Sequence, residues 1–468
     1  MNVGLEAAPS LQAFLMALPE SVRSTRVDPV PVRNQNDWSA LAAETPAALF
    51  CPRTTEDVAA LLHAADTHRI SVVPQGGLTG LCGGARPISS GIALSLEKMV
   101  GVEEIDPSSA TMTVLAGTPL EVVQNAAAAA GLYFPLDLGA RGSCAIGGNA
   151  STNAGGNRVI RYGLMRDLVL GLEAVLPDGT IIDATTKLIK NNTGFDLRQL
   201  FIGSEGTLGV ITRLVLRLAP APGCTHAALC GMGDYASVLR LLEGARRKLG
   251  PTLSAFEVMW PDYWKVACEV PGVRSPLTQP HAFRVLIEAQ GTDEAVDGAR
   301  FTAFLEEMFD GEVLEDAVLS QSLADIKAFW GVRDACSEFK QTLGPHLAYD
   351  VGLPTRQADE FAKACASAIA KAVPGSKSVF YGHVADGNLH LLAWLPGAHD
   401  QPAKAFDTAV YTTVREFGGS VSAEHGIGTT KKPYLEYSRT VQEIALMRRI
   451  KTALDPNGIL NPGKVIDV

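Results

Sequence analysis

Apolar residues in the first half of the chain fall into helical stripes separated by short alternating runs. Val58, Leu61, Leu62 and Ala65 form one stripe behind Thr54-Thr55-Glu56-Asp57, a capping-box pattern, and predict a helix. Arg69-Ile-Ser-Val-Val73 reads as a buried strand running into Pro74, while Ile92/Leu94/Leu96 and Met112/Val114/Ala116 alternate as half-buried strands. Leu120 to Ala130 predicts a helix closed by Gly131. Val169 to Leu176, Pro177-Asp-Gly-Thr180 and Ile181-Ile182 predict a hairpin. Leu214, Leu216 and Leu218 alternate ahead of Ala219-Pro-Ala-Pro-Gly223, the clearest domain boundary in the chain. Beyond it, helical stretches near 235–249, 295–308 and 356–372 suggest a second α+β domain, and Thr440-Val-Gln-Glu443 caps a last helix. Leu11, Phe14, Leu15 and Leu18 suggest a short amphipathic helix, not a signal peptide.

A chain of 468 residues, 47% of them hydrophobic, is long enough for two or three domains with large cores. Its formal charge of −10 argues against a nucleic-acid partner, which needs a basic footprint. No window of about 18 apolar residues predicts a transmembrane helix. The eight cysteines include no C-x-x-C pair and read as reduced thiols, so the expected location is cytoplasmic, with peripheral attachment to a membrane left open.

Glycine concentrates in Pro74–Gly84 (PQGGLTGLCGG), Gly139–Gly156 (GARGSCAIGGNASTNAGG) and Gly203–Gly209 (GSEGTLG). Glycines allow close backbone approach, so amides can nest around a phosphate without a lysine. Neither a Walker loop nor a convincing G-x-G-x-x-G opening a helix is present. Any one of these loops is explained by a tight turn; three long ones in one domain point to a large ligand.

A different chemistry is concentrated in Tyr381-Gly-His-Val-Ala-Asp-Gly-Asn-Leu-His390 and Ser422-Ala-Glu-His-Gly426. Asp386-Gly387 is a two-residue hairpin signal that would set His383 opposite His390. Cβ atoms so paired lie roughly 4.5–5.5 Å apart, and both imidazoles could reach one metal ion at about 2.0–2.1 Å. Glu424 could complete a His2Glu set, leaving His425 as an acid/base. The plainer alternative is a buried hairpin with two satisfied histidines and a solvent-facing Glu-His pair.

Together with RYGLMRDLVLGLEAVLPDG, NNTGFDLRQLFIGSEGTLGVIT, SAEHGIGTTKK and DPNGILNPGK, these segments resemble flavoenzymes of the vanillyl-alcohol-oxidase/p-cresol-methylhydroxylase (PCMH) type. The branch most resembled is that of the FAD-linked D-2-hydroxyacid dehydrogenases, which includes D-2-hydroxyglutarate, D-lactate and glycolate dehydrogenases. The motifs follow the family's order from about residue 50 to the C-terminus. The resemblance implies an α+β fold: a PCMH-type split FAD-binding domain (1–220), a cap domain built on an antiparallel sheet (221–415), and a C-terminal segment (416–468) returning to the FAD domain. Pro74, Gly76, Gly77, Thr79 and Gly80 would hold the FAD pyrophosphate. Asp137, Gly139, Ser143, Gly147, Gly148, Asn149, Thr152 and Asn153 would line the rest of the dinucleotide. Glu205, Gly206, Gly209 and Ile211 resemble adenosine-side and flavin-flanking contacts, and Asn461 a contact near the ring. No histidine or cysteine stands at a covalent-attachment position, so non-covalent FAD is expected.

The same resemblance makes His383, His390 and Glu424 ligands of a divalent metal, zinc first, and His425 the general base. Asn388, Arg333 and Ser337 would contact the substrate, with Arg333 taking its carboxylate. The implied reaction oxidises a D-2-hydroxy acid to a 2-oxo acid by hydride transfer to FAD. Relatives often carry a lysine at the position of Ala348, associated with a distal carboxylate; its replacement favours a monocarboxylate such as D-lactate, unless Lys340 or Arg356 substitutes. Electrons would leave to an electron-transfer flavoprotein or a quinone, and a homodimer is compatible. The alternatives are a flavin oxidase or dehydrogenase of the same fold acting on another alcohol or on glycolate, a non-catalytic flavin electron carrier, and a zinc hydrolase.

Overall fold

The computed structural model describes residues 9–277 and 279–468. They form two compact units. One holds the residues up to Gly156, Gly163–Ala221 and Glu424–Val468; the other holds Asn157–Tyr162 and Pro222–Ala423. The chain enters the second unit inside the Ala219–Gly223 run and leaves it at Ala423/Glu424, eight residues beyond the return expected at 415/416. Packing explains the later exit: Phe417 meets Phe361 edge-on at 5.7 Å, and Ser420 bridges to Gly352. Asn157–Tyr162 is a short insertion anchored by Arg161, which donates to the Gln290 carbonyl at 2.5 Å.

The first unit begins with β1 (Arg26–Val27), β2 (Ala48–Phe50), β3 (Val72–Gln75) and β4 (Ile92–Ser95), arranged β1-β2-β4-β3. β4 is parallel to both neighbours and buried at all four positions, not alternately as its spacing suggested. An inner parallel strand is covered on both faces. The helix Thr55–His68 has the predicted cap, with Thr54 accepting from the Asp57 amide. It ends with Arg69 at φ 57°, which delays the following strand to Val72.

The chain continues through β5 (Val102–Asp106), β6 (Thr111–Leu115), the short β7 (Leu132–Tyr133), β8 (Val169–Val175), β9 (Ile181–Ala184), β10 (Val210–Arg217) and β11 (Ala219–Pro220). An antiparallel sheet runs β5-β6-β10-β8-β9, and β7 pairs with β11. The 176–180 turn closes β8 onto β9 as expected, with Gly179 at φ 88°. The capped helix Val441–Leu454 belongs to this unit. Its buried Lys451 donates to the carbonyls of Thr207 and Leu460 and pairs with Asp455.

The second unit is one seven-stranded sheet: β12 (Cys224–Met232), β13 (Leu253–Met259), β14 (Phe283–Gly291), β15 (Asp316–Leu319), β16 (Leu347–Gly352), β17 (Lys377–Gly382) and β18 (Asn388–Trp394). The order is β15-β12-β14-β13-β17-β18-β16, antiparallel throughout. One face carries a core containing Tyr263, Phe329, Val332 and Phe339, from helices that include Pro261–Glu269 and Leu323–Arg333. Neither helix was evident in the sequence pattern. Among the described residues no helix is long and apolar enough to cross a membrane.

Candidate active site

In the second unit the site is assembled on β13, β16 and the β17–β18 hairpin. The turn differs from the two-residue form expected. Strand pairing stops at Tyr381↔His390, Val384–Asp386 coil into a 3-10 turn, and Gly387 closes it at φ 86°. The Asn388 amide donates back to the His383 carbonyl at 3.2 Å. His383 therefore lies in the loop, not opposite His390. Even so, the two imidazoles meet edge-on with centroids 5.2 Å apart.

Beneath them lies a chain of buried polar groups. Glu257 on β13 is 1% exposed. Its carboxylate accepts from His383 Nδ1 at 2.5 Å and from Arg333 Nε at 2.7 Å. Burial opposes that charge, but His383 and Arg333 outweigh it and hold the carboxyl down at about 2. Arg333 Nη2 lies 3.2 Å from His383 Nε2. Because a guanidinium can only donate, Nε2 is the acceptor and Nδ1–H faces Glu257. A carboxylate behind Nδ1 is the arrangement that orients metal-binding histidines, and it leaves the Nε2 lone pair for a ligand. Here that lone pair takes a proton donor from Arg333.

Arg333 is thus no surface arginine. Its three nitrogens contact Glu257, Asp334 and His383, and its guanidinium lies 5.4 Å from the Tyr381 ring centre. His390 faces Asp350 across β16 and β18, with Nδ1 and Oδ1 3.9 Å apart. Asp350, fully buried, also accepts from the Ala423 amide at 3.1 Å. Asn388 is 5% exposed, and neither its carboxamide oxygen nor its nitrogen has a hydrogen-bond partner among the described residues. Leaving both unmade costs about 1–3 kcal/mol each, so such a group calls for a ligand. Ser337 does not share this setting: it is exposed and donates to the carbonyl of Asp334 in its own turn. Ala348, exposed, is two residues from Asp350 and so on the same face of β16.

In the first unit the glycine loops pack backbone to backbone. A Cβ on Gly77 would fall 2.1 Å from the Ser143 carbonyl oxygen, one on Gly147 2.6 Å from Ala116 Cβ, and one on Gly156 2.3 Å from the Asp137 carbonyl. Gly76 lies against Ala145 and Gly148. On their other side the loops are open: a Cβ on Gly139 or Gly148 would meet nothing within 4 Å. Asn149 is buried, and its Oδ1 has no hydrogen-bond partner among the described residues. Pinned glycines, an open face and an orphaned polar atom suit a phosphate-bearing dinucleotide.

Other residues in this unit support the loops. Asp137 pairs with Arg141 at 2.9 Å. Ser143 and Thr152 donate to carbonyls one turn back, and Asn153, at φ 51°, accepts from the Arg166 amide. Pro74, next to last in β3, lies beside Gly206, with Thr79 and Gly80 five and six residues on. Gly209 packs on Phe201, and Ile211 is buried in β10. Glu205, expected among the adenosine-side and flavin-flanking contacts, has a carboxylate that accepts from the amides of Ile427 at 2.7 Å and Gly428 at 2.8 Å. Burial pushes its pKa up against those donors. It therefore clamps the turn after Glu424-His425, where Gly426 sits at φ 80°. Glu424 and His425 are half-buried on irregular backbone, the condition that neighbouring residues need in order to point the same way. Asn461 donates to the carbonyls of Gly84 at 3.0 Å and Glu205 at 2.7 Å, tying the tail to two loops. Glu257 and Asp350 were missed in the sequence because each is a single acidic residue in an apolar strand, visible only through its partners.

The two units define a flavoprotein. Residues 46–185 match the family model of an FAD binding domain, and residues 222–465 that of FAD linked oxidases, C-terminal domain. The chain is 40% identical over 441 residues to D-2-hydroxyglutarate dehydrogenase, mitochondrial, of Bos taurus, covering 94% of this chain and 80% of that one. It is 37% identical to D-2-hydroxyglutarate dehydrogenase of Xanthomonas citri pv. viticola, over 97% of both. A Schizosaccharomyces pombe mitochondrial protein, whose name offers D-lactate dehydrogenase as a candidate activity, is 39% identical, with 89% and 81% covered. Among solved structures, p-cresol methylhydroxylase with substrate bound aligns at TM-score 0.76 and 18% identity, covering 98% and 96%. That likeness bears on fold alone. The chain belongs to the FAD-linked oxidase family and is an FAD-dependent oxidoreductase, as the motifs implied.

Proposed function

We propose that the protein is a metal-assisted, FAD-dependent D-2-hydroxyacid dehydrogenase that oxidises D-lactate or D-2-hydroxyglutarate to the 2-oxo acid. The observation that carries the reading is the buried, unpartnered Asn388 carboxamide beside His383 and His390, in a chain whose relatives bear dehydrogenase names.

The loops around Gly76, Gly77, Gly147 and Gly148, with Asn149, would hold FAD without a covalent link, and the chemistry it would supply is acceptance of the substrate hydride. His383, His390 and Glu424 would hold a divalent ion, and the chemistry it would supply is polarisation of the substrate hydroxyl; zinc suits this His2Glu donor set. Supporting these ligands, Glu257 fixes the tautomer of His383. Ala423, bonded directly to Glu424, is held by Asp350, the carboxylate facing His390. Arg333 Nη2 donates to His383 Nε2 and would be released toward the substrate if that histidine held the ion. A guanidinium has five N–H groups, enough to keep Glu257 and still take a substrate carboxylate. Asn388 orients the substrate, and His425 accepts the hydroxyl proton at its ring nitrogen. Ser337 would serve only after its hydroxyl turned away from Asp334.

The relatives' names favour hydroxyglutarate, whereas position 348 carries alanine and supplies no cation of its own two residues from Asp350, which favours the shorter acid. The proposed setting is the cytoplasm, with an electron-transfer flavoprotein or a quinone as acceptor and a homodimer as the assembly. Anaerobic titration of the yellow protein with D- and L-2-hydroxy acids, before and after chelation, tests the reading. Bleaching by a D-acid that chelation abolishes is expected; bleaching by none of them overturns the substrate class.

A further inference from the structure

A second group of metal-type donors lies elsewhere in the second unit, on the first strand of the sheet. Cys224 and His226 are two residues apart on β12 and so share a face. The helix Glu294–Asp310 packs on that strand and brings Glu294 to the same place. One donor atom from each of Cys224, His226 and Glu294 lies within 4.8 Å of the others. Asp297 backs the group, with Oδ2 3.9 Å from Cys224 Sγ, while its carboxylate also takes the amides of Thr292 and Asp293.

His226 is the residue without another explanation. Its ring stacks on Phe301 at 6.0 Å, which fixes its plane, yet its buried Nε2 has no hydrogen-bond partner among the described residues. Glycine at position 298 lets the helix sit close to the ring: a Cβ there would lie 3.1 Å from His226 Cε1. A core histidine at a helix–sheet junction would normally find a partner for that nitrogen. One nitrogen of this ring lies within 4.8 Å of a thiol sulfur and a carboxylate oxygen, a mixed sulfur, nitrogen and oxygen set suited to tetrahedral zinc.

We propose that Cys224, His226 and Glu294 form a second divalent-metal site, structural in role, which staples the helix Glu294–Asp310 to β12. Four strand spacings separate β12 from β18 in the sheet order, about 19 Å at the usual spacing, so the site is independent of His383 and His390. A thiol that binds metal does so as the thiolate, so formation of the sulfur–metal bond releases the Cys224 proton to solvent.

The donor sets differ in sulfur, which makes the test specific. Cobalt-loaded holoenzyme, read as a difference spectrum against the zinc form so that flavin absorbance cancels, is expected to show a thiolate-to-cobalt charge-transfer band. That band is lost in Cys224→Ser and retained in His390→Ala. Elemental analysis of Cys224→Ser is expected to give one metal equivalent fewer than the parent. Glu294→Gln, an exposed change at the start of a helix, leaves the core intact and should release this metal to a competing chelator at least about tenfold more readily. A parent protein without the band, or a Cys224→Ser protein that keeps its band and its full metal content, overturns the site. So does a Glu294→Gln protein with parental metal retention.

Discussion

Replacing Glu257 by glutamine changes little but charge, and the consequence can be worked out from its neighbours. Its carboxylate is the buried counter-charge of Arg333, at 2.7 Å, and the acceptor for His383 Nδ1, at 2.5 Å. Breaking a buried pair by neutralising one partner costs about 3–5 kcal/mol, because the remaining charge stays buried and uncompensated. Asp334, 3.3 Å from Arg333 Nη1 but 56% exposed, offers only screened compensation. The expected loss is therefore near the lower end, about 3 kcal/mol. For a unit of this size each kcal/mol moves the melting temperature by about 2–4 °C, which predicts a fall of roughly 6–12 °C for the second unit. Scanning calorimetry of the FAD-loaded Glu257→Gln protein measures this directly. A melting temperature within about 2 °C of the parent would refute the account of Glu257 as the counter-charge. Independently, metal at the proposed His383 site should be held about 10–100-fold more weakly, since the carboxylate behind a ligating histidine sets its tautomer. A thermal loss with unchanged metal affinity would leave the ion pair standing and remove Glu257 from the metal site.

Other residues make further tests. Gly77→Ala sets a methyl group 2.1 Å from the Ser143 carbonyl, so it should yield protein without yellow cofactor; retention of stoichiometric FAD would show that the loops are not packed as described. Asn461→Ala leaves the carbonyls of Gly84 and Glu205 short of donors, which should cost about 1–3 kcal/mol and speed FAD loss in a denaturant titration. His425→Asn should keep FAD and metal yet lose most flavin reduction in stopped flow; loss of metal with it would make His425 a ligand. Ala348→Lys adds a cation on the face of β16 that carries Asp350, so kcat/KM for D-2-hydroxyglutarate should rise relative to D-lactate, and an unchanged ratio would place the distal carboxylate elsewhere.

How much was legible beforehand varied with the kind of signal. Capped helices at Thr55–His68 and Val441–Leu454 were readable because Thr54 and Thr440 satisfy their own first turns, a contact within four residues. The helices Pro261–Glu269 and Leu323–Arg333 were not, because their packing partners lie far away in the sequence. The turn at Asp386-Gly387 was located correctly but assigned the wrong length. Register in a hairpin follows turn geometry, and the 3-10 turn at Val384–Asp386 lifts His383 off the ladder. β4 looked half-buried because alternation reports one covered face and cannot report a strand enclosed on both.

By itself the sequence determined the FAD family, the glycine-rich loops and the histidines of the candidate site, since each is written as a local motif whose spacing carries its chemistry. Tertiary structure decided what those side chains do. It placed Glu257 and Asp350 behind the histidines, made the expected substrate clamp Arg333 a buried cation paired with Glu257, and gave Glu205 to the turn after His425. It also brought Glu294 to Cys224 and His226 across some seventy residues of chain. Hydrogen bonds and ion pairs act over a few ångströms of space, and only the fold specifies which distant residues share those few ångströms.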